Sequence, residues 1–199
     1  MPLKSNFRES IYFFYPKGEV SNPDIYSLLD QSVEFDRLRA ICQQVQNHPS
    51  YLEYLYELKK VSPYPKADIT IDERIGVEYK KCFTLKVLLE AKELKNNLSE
   101  RIYLIINLSI LIPYFTIDVV KQTYLLGSLI SSAEIIPEVN FPEYFKFYRA
   151  YITQSGMQEF PKEYYEEKLP EIVFPNIEDG KFTFFNAFFL SSFNDVTGF

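Results

Sequence analysis

The sequence predicts an α+β fold: a mainly antiparallel sheet with a meander of about three central strands, further strands near the N- and C-termini, and four or so flanking helices. Three observations support this class. Apolar and polar residues alternate through the middle of the chain, apolar residues recur at helical spacing on either side of it, and proline-containing turns separate these stretches. Because no repeat or linker interrupts the sequence, we expect residues 1–199 to form a single α+β domain.

The N-terminal part of the chain predicts one strand and two helices. Residues 8–15 are rich in aromatics and precede a Pro-Lys-Gly turn, which favours a short strand. A helix begins at Asn22-Pro23, where asparagine caps and proline suits the first turn, and it runs to about residue 45 with a possible break near Ser32. A second helix covers residues 50–60 and ends at the proline-rich stretch 62–65.

The middle of the chain predicts the centre of the sheet. Residues 77–91, 102–112 and 115–126 each alternate between an apolar and a more polar side, as half-buried antiparallel strands do. A polar connection containing Asn96-Asn97 joins the first two strands. The second strand carries Asn107 and Ser109 on its mixed side, where they are either satisfied within the sheet or face a cleft.

The C-terminal part predicts two helices and a last strand. Pro142-Glu143 begins a helix that ends near Gly156, and a shorter helix covers residues 161–169. After a turn at residues 178–180, the phenylalanine-rich stretch 181–190 predicts the final strand.

The composition argues against most catalytic and cofactor-dependent functions. The chain has one histidine, six glycines and two cysteines, which form neither a nucleotide-binding loop nor a Cys/His zinc set. His48 lacks a neighbouring nucleophile or orienting acid, and Asp68, Asp72 and Glu73 lack the spacing of a calcium loop. We therefore expect no catalytic residue, no cofactor and no metal, and a protein that is not an enzyme.

Cysteine use and hydropathy predict the location. Two unclustered thiols suit a reducing compartment, and we expect a cytoplasmic protein. No leader is visible at the N-terminus, and the uncharged stretch at residues 102–117 is too short to span a bilayer. No basic stripe is present to bind nucleic acid, so neither membrane nor nucleic acid is an expected partner.

The distribution of charge gives the main functional prediction. Residues 134–179 contain ten acidic and four basic residues, so this segment carries the net charge of −6 of the whole chain. Within it, carboxylates alternate with aromatics that are typical of binding hot spots. We expect a non-catalytic protein-binding module, such as an inhibitor or immunity-type factor, that covers a basic site on a partner protein. The predicted contact residues are Glu159, Phe160, Glu163, Tyr164, Tyr165, Glu166, Glu167 and Glu171.

Two alternatives remain open at this stage. The aromatics could line a cavity for an apolar small molecule, or they could be buried on both sides of the C-terminal strand. These aromatics are Phe182, Phe184, Phe185, Phe188 and Phe189, with Tyr12, Phe13, Phe14 and Tyr15. A carboxylate-dependent hydrolase would need only two acids across one cleft, and a sequence does not reveal such a pair.

Overall fold

The computed structural model describes residues 2–17, 31–46, 48–61, 69–72, 81–126, 128–129, 134–174 and 177–189. In these residues, three helices precede the sheet: α1 (Pro2–Phe14), α2 (Val33–Gln46) and α3 (Pro49–Lys60). Two more lie in the C-terminal part of the chain: α4 (Pro142–Gln154) and α5 (Phe184–Phe188). The predicted helices at residues 50–60 and from Pro142 are therefore confirmed, whereas the predicted helix start at Asn22 lies outside the described residues.

The sheet is a meander with short strands added at its edges. Its strands are β1 (Ile69–Asp72), β2 (Cys82–Glu93), β3 (Leu98–Ser109), β4 (Tyr114–Leu125), β5 (Ser128–Leu129), β6 (Glu134–Ile136) and β7 (Gln158–Glu159). The order β1-β2-β3-β4-β5 is antiparallel throughout, β6 pairs antiparallel with β4, and β7 pairs parallel with it. The α+β class and the three central strands are confirmed.

The turn between β2 and β3 depends on its two asparagines. Asn96 and Asn97 both adopt positive φ angles, of 61° and 58°, in the left-handed region that asparagine tolerates better than most residues. The backbone N–H of Leu98 donates to the carbonyl of Lys95, which closes the turn. The polar connection in the sequence thus brings β2 and β3 into register, so that Glu93 lies opposite Ser99.

The two faces of the central strands differ in chemistry, yet both are buried. One face is apolar and includes Leu85, Ile106 and Ile117, all fully buried. The other face includes Thr84, Asn107 and Thr116, which lie side by side and are also buried. The prediction that the first strand is half-buried is therefore wrong for its N-terminal half, where the polar side is covered as well.

Hydrogen bonds between neighbouring strands make this polar burial possible. Thr84 Oγ1 donates to Asn107 Oδ1 at 2.8 Å, and Asn107 Nδ2 donates to Thr116 Oγ1 at 3.0 Å. A buried polar group that keeps its hydrogen bonds avoids most of the cost of losing water. Asn107 is thus satisfied within the sheet, which is one of the two roles that the sequence allowed.

The N-terminal strand prediction is wrong, because residues 8–14 belong to α1. Phe7, Ile11 and Phe14 lie four and three positions apart and form one buried helical stripe. The ring of Phe7 meets those of Phe160 and Phe188 at centroid distances of 4.9 and 6.0 Å. The aromatics of this segment therefore anchor a helix against the C-terminal part of the chain.

Two C-terminal predictions also need correction. Residues 161–169 form only the short 3-10 turn Lys162–Tyr164, and residues 181–189 contain a helix instead of a strand. Thr183 and Asn186 form a capping box at the start of α5, because each side chain accepts a backbone N–H of the other. Within the described residues, this region forms one isolated antiparallel β-bridge, between Lys168 and Thr183.

Candidate functional site

A cavity of about 670 Å³ opens where α2 and α3 meet the ends of β2 and β3 and the turn after α4. Its apolar walls come from several elements that are distant in sequence. They are Ile41, Val45, Phe83, Leu108, Ile110 and Met157. Its polar lining groups are Gln44, His48, Ser50, Tyr54, Ser109 and Ser155. The elements thus leave a concave, largely apolar space of the size that small molecules occupy.

Local structure places each wall of this cavity. Ile41 and Val45 lie four residues apart on α2 and so share one helix face. Phe83 and Leu108 are register partners on β2 and β3, and both side chains are buried. The sheet therefore provides a fixed floor beneath the helical walls.

Tyr54 connects α3 to the turn after α4. The hydroxyls of Tyr54 and Ser155 lie 3.1 Å apart, and Ser155 Oγ donates to the carbonyl of Ile152 at 2.7 Å. The tyrosine hydroxyl is therefore the donor toward Ser155. Burial raises the pKa of Tyr54, so this phenol is neutral at physiological pH. The Tyr54 ring also stacks on Tyr151 of α4, with centroids 6.4 Å apart.

The polar side chains of the cavity are hydroxyls, an amide and an imidazole. None of the described lining residues is Asp, Glu, Lys or Arg. His48 is the N-cap residue of α3, makes no side-chain capping hydrogen bond and is exposed. The described lining thus lacks the two carboxylates that the hydrolase alternative requires.

Of the two polar residues that the sequence suggested for a cleft, Ser109 lines the cavity. Its hydroxyl accepts the backbone N–H of Leu111 at 3.2 Å, which holds the chain end of β3 in a bend. The five C-terminal phenylalanines of the aromatic-cavity alternative are buried against other rings. For example, the centroids of Phe182 and Phe174 lie 5.5 Å apart. The described cavity is thus not the one that the aromatic pattern suggested.

The structure places the aromatic members of the predicted partner-binding set largely inside the protein. Phe160 is fully buried, and Tyr165 retains 8 % of its surface. Tyr165 stacks on Phe160 at a centroid distance of 6.0 Å, and its hydroxyl donates to Asp118 Oδ2 at 3.3 Å. Tyr164 is half-buried and meets the Phe7 ring at 5.9 Å. These rings hold α1 and the 3-10 turn against the sheet.

Three of the five predicted carboxylates form ion pairs within the protein. Arg149 donates to Glu159 and to Glu138, and these hydrogen bonds raise the pKa of its guanidinium. Arg8 of α1 donates to both Glu167 and Glu171 at 3.3 Å. These acids fasten the segment to helices instead of presenting free charge.

The pKa of the Glu171 carboxyl is lowered by its neighbours. Although partial burial raises it, the hydrogen bond from the Tyr12 hydroxyl and the charge of Arg8 leave it below its ordinary value. The carboxylate is therefore ionised at neutral pH.

The two remaining carboxylates, Glu163 and Glu166, are exposed on the 3-10 turn and just after it. Neither forms a hydrogen bond or ion pair with another described residue. They are the members of the predicted set whose charge is available to a partner.

Asp118 is a buried carboxylate that is not among the functional residues predicted from the sequence. Lys162 Nζ lies 2.8 Å from its Oδ1, and its side chain retains only 3 % exposure. Burial raises the pKa of Asp118, and the charge and hydrogen bond of Lys162 oppose that rise. Asp118 lies on the more polar side of β4, and the alternation of the sequence predicts that this side faces solvent. The burial of Asp118 was therefore not predictable from the alternation.

The described residues contain no group of three or more His, Cys, Asp and Glu side chains placed to hold a metal ion. Among their helices, none combines the length and apolar character needed to cross a membrane. Fold and cavity together define an α+β protein with a largely apolar recess at one end of its sheet. Comparisons with models of protein families, with curated proteins and with solved structures give no significant match to this chain.

Proposed function

We propose that this protein acts by stoichiometric binding, and that its ligand is a small apolar molecule held in the cavity between α2, α3 and the sheet. The single observation that carries this proposal is the cavity of about 670 Å³ with an apolar floor. A pocket of this size accommodates a ligand of drug-like size and removes most of its apolar surface from water. None of the described lining residues is Asp or Glu, so the described lining favours binding over hydrolysis by a pair of carboxylates.

The test is to fill the cavity and measure whether binding disappears. Met157 lines the cavity and is half-buried, so Met157→Trp adds bulk there without replacing a fully buried residue. Val33 lies on α2 with 60 % of its surface exposed, and Val33→Trp is the matched control. Nile red is a suitable probe because it is uncharged and becomes fluorescent in an apolar site.

We expect the native protein and Val33→Trp to bind Nile red at one site per chain, and Met157→Trp to bind it at least ten-fold more weakly. Native mass spectrometry of the purified protein gives an independent readout, because a retained ligand would add mass that Met157→Trp lacks. Equal binding by all three proteins would contradict the cavity as the site.

A second proposal is that Glu163 and Glu166 contact a partner protein with a basic surface. The observation that favours it is that these two neighbouring carboxylates are exposed and free of ion pairs among the described residues. Two exposed charges contribute more to the rate of encounter than to affinity. Six of the eight predicted contact residues contribute to the protein's own packing or ion pairs, so the contact would be smaller than the sequence suggested.

The charge-reversal variant Glu163→Lys/Glu166→Lys tests this second proposal. Glu143→Lys is the control, because Glu143 is also an exposed acid, on the first turn of α4. If the proposal holds, the wild type and the control retain a protein from the native host that the double variant does not retain. High salt should weaken the retention by the wild type and the control. Retention of the same protein by the double variant would exclude these carboxylates.

A further inference from the structure

The cavity is graded from an apolar, buried floor to a polar, exposed rim. Phe83, Leu108 and Val45 are at most 5 % exposed and form the deepest part of the lining. Ser50, Gln44 and Ser155 are exposed and polar. A molecule that fills this space meets hydrocarbon at one end and hydrogen-bonding groups at the other.

The charge of the lining limits the chemistry of the ligand's head. None of the described lining residues is Asp, Glu, Lys or Arg, and the one ionisable side chain among them is the imidazole of His48. Because His48 is exposed, water would screen its pairing with a charged head. A charge that leaves water without an opposite charge or several hydrogen bonds loses solvation free energy that nothing replaces. Hydroxyl and amide groups such as those of Ser50 and Gln44 compensate a neutral hydroxyl or amide instead.

We infer that the cavity takes an uncharged amphiphile, a molecule with an apolar chain on the floor formed by Phe83 and Leu108 and a neutral hydrogen-bonding head at the rim beside Ser50. This inference rests on the proposed small-molecule function and adds the class and orientation of the ligand. A long-chain alcohol is the simplest member of the class. The free acid and amine of the same chain length differ from it in the charge of the head.

Isothermal titration calorimetry with three probes of equal chain length tests the class. The probes are 1-octanol, octanoate and octylammonium, titrated into the native protein at pH 7. We expect 1-octanol to bind at one site per chain and each charged relative to bind at least ten-fold more weakly. Equal or tighter binding of a charged relative, abolished by Met157→Trp, would overturn the inference and leave the proposed function standing. If none of the three binds, both fail.

The orientation is tested by moving a charge to the rim. Ser50 is exposed, so Ser50→Lys and Ser50→Glu change the charge of the rim without disturbing buried packing. We expect Ser50→Lys to strengthen octanoate binding about ten-fold and Ser50→Glu to do the same for octylammonium, while 1-octanol changes less than three-fold in either variant. If neither variant strengthens the oppositely charged probe, the head does not lie beside Ser50 and the proposed orientation is overturned.

Discussion

The ion pair of Lys162 with the buried Asp118 makes a strong prediction about stability. Lys162→Met keeps the length of the side chain and removes its charge, which leaves the Asp118 carboxylate buried without its cation. At their separation of 2.8 Å, the attraction is roughly 6 kcal/mol for an effective dielectric constant near 20 and about 1.5 kcal/mol in water. Because the Lys162 side chain is 49 % exposed, we expect an intermediate loss of about 3 kcal/mol at pH 7.

The pH dependence of this loss distinguishes the ion pair from simple packing. Burial already raises the pKa of Asp118, and removal of Lys162 raises it further. A carboxyl with a raised pKa in the folded state stabilises the fold below its unfolded pKa of about 3.9, and this contribution is lost as the pH rises through the raised value. The free energy of unfolding of Lys162→Met should therefore approach that of the wild type as the pH falls toward 4.

Urea unfolding at pH 7 and pH 4 measures both effects. Lys146→Met serves as a control, because Lys146 is an exposed lysine of α4, and we expect a change within about 0.5 kcal/mol at either pH. Adding Asp118→Asn to Lys162→Met should restore most of the loss, since the amide needs no counter-charge. A loss from Lys162→Met that is the same at both pH values, or no larger than that of the control, would refute the reasoning.

Three further predictions concern the sheet. Asn107→Leu removes the shared partner of two buried threonine hydroxyls and should cost about 2–4 kcal/mol of unfolding free energy in urea titrations. The control Ile110→Leu, one residue after β3, should cost less than about 1.5 kcal/mol. Burial, with help from the charge of Arg101, lowers the pKa of Lys86 to about 8. The stability of the wild type relative to Lys86→Met should therefore rise by about 2 kcal/mol between pH 8 and pH 10.5, and a flat difference would contradict that pKa. Asn97→Val should lower the melting temperature through a strain of about 1–2 kcal/mol, while Asn97→Gly should not.

The local features of the chain were readable from the sequence. Alternation with a period of two identified β2, β3 and β4, because each strand presents one continuous apolar face to the core. Pro142 marked the start of α4, since proline lacks the N–H that the first turn leaves without a partner. The polar connection containing Asn96 and Asn97 indicated where the first two strands separate, and the structure shows that both asparagines adopt positive φ there.

The aromatic segments show where local pattern was insufficient. Both a helix and a strand can bury the aromatics of residues 8–15, and the choice follows from what the segment packs against. Phe7, Ile11 and Phe14 are spaced as one face of a helix, and this spacing becomes visible when Phe7 is included with residues 8–15. At the C-terminus, the capping box of Thr183 was the available signal for α5.

The sequence by itself determined the α+β class, the central meander and the concentration of negative charge in one segment, because each depends on residues that are neighbours along the chain. Tertiary structure alone decided which of those charges are free. Arg8 reaches Glu167 across 159 positions, and Lys162 reaches Asp118 across 44. The cavity is also a tertiary feature, because its lining residues come from α2, α3 and the ends of β2 and β3. Such pairings and gaps depend on three-dimensional distance, and distance between remote residues is set by the packing of the whole chain.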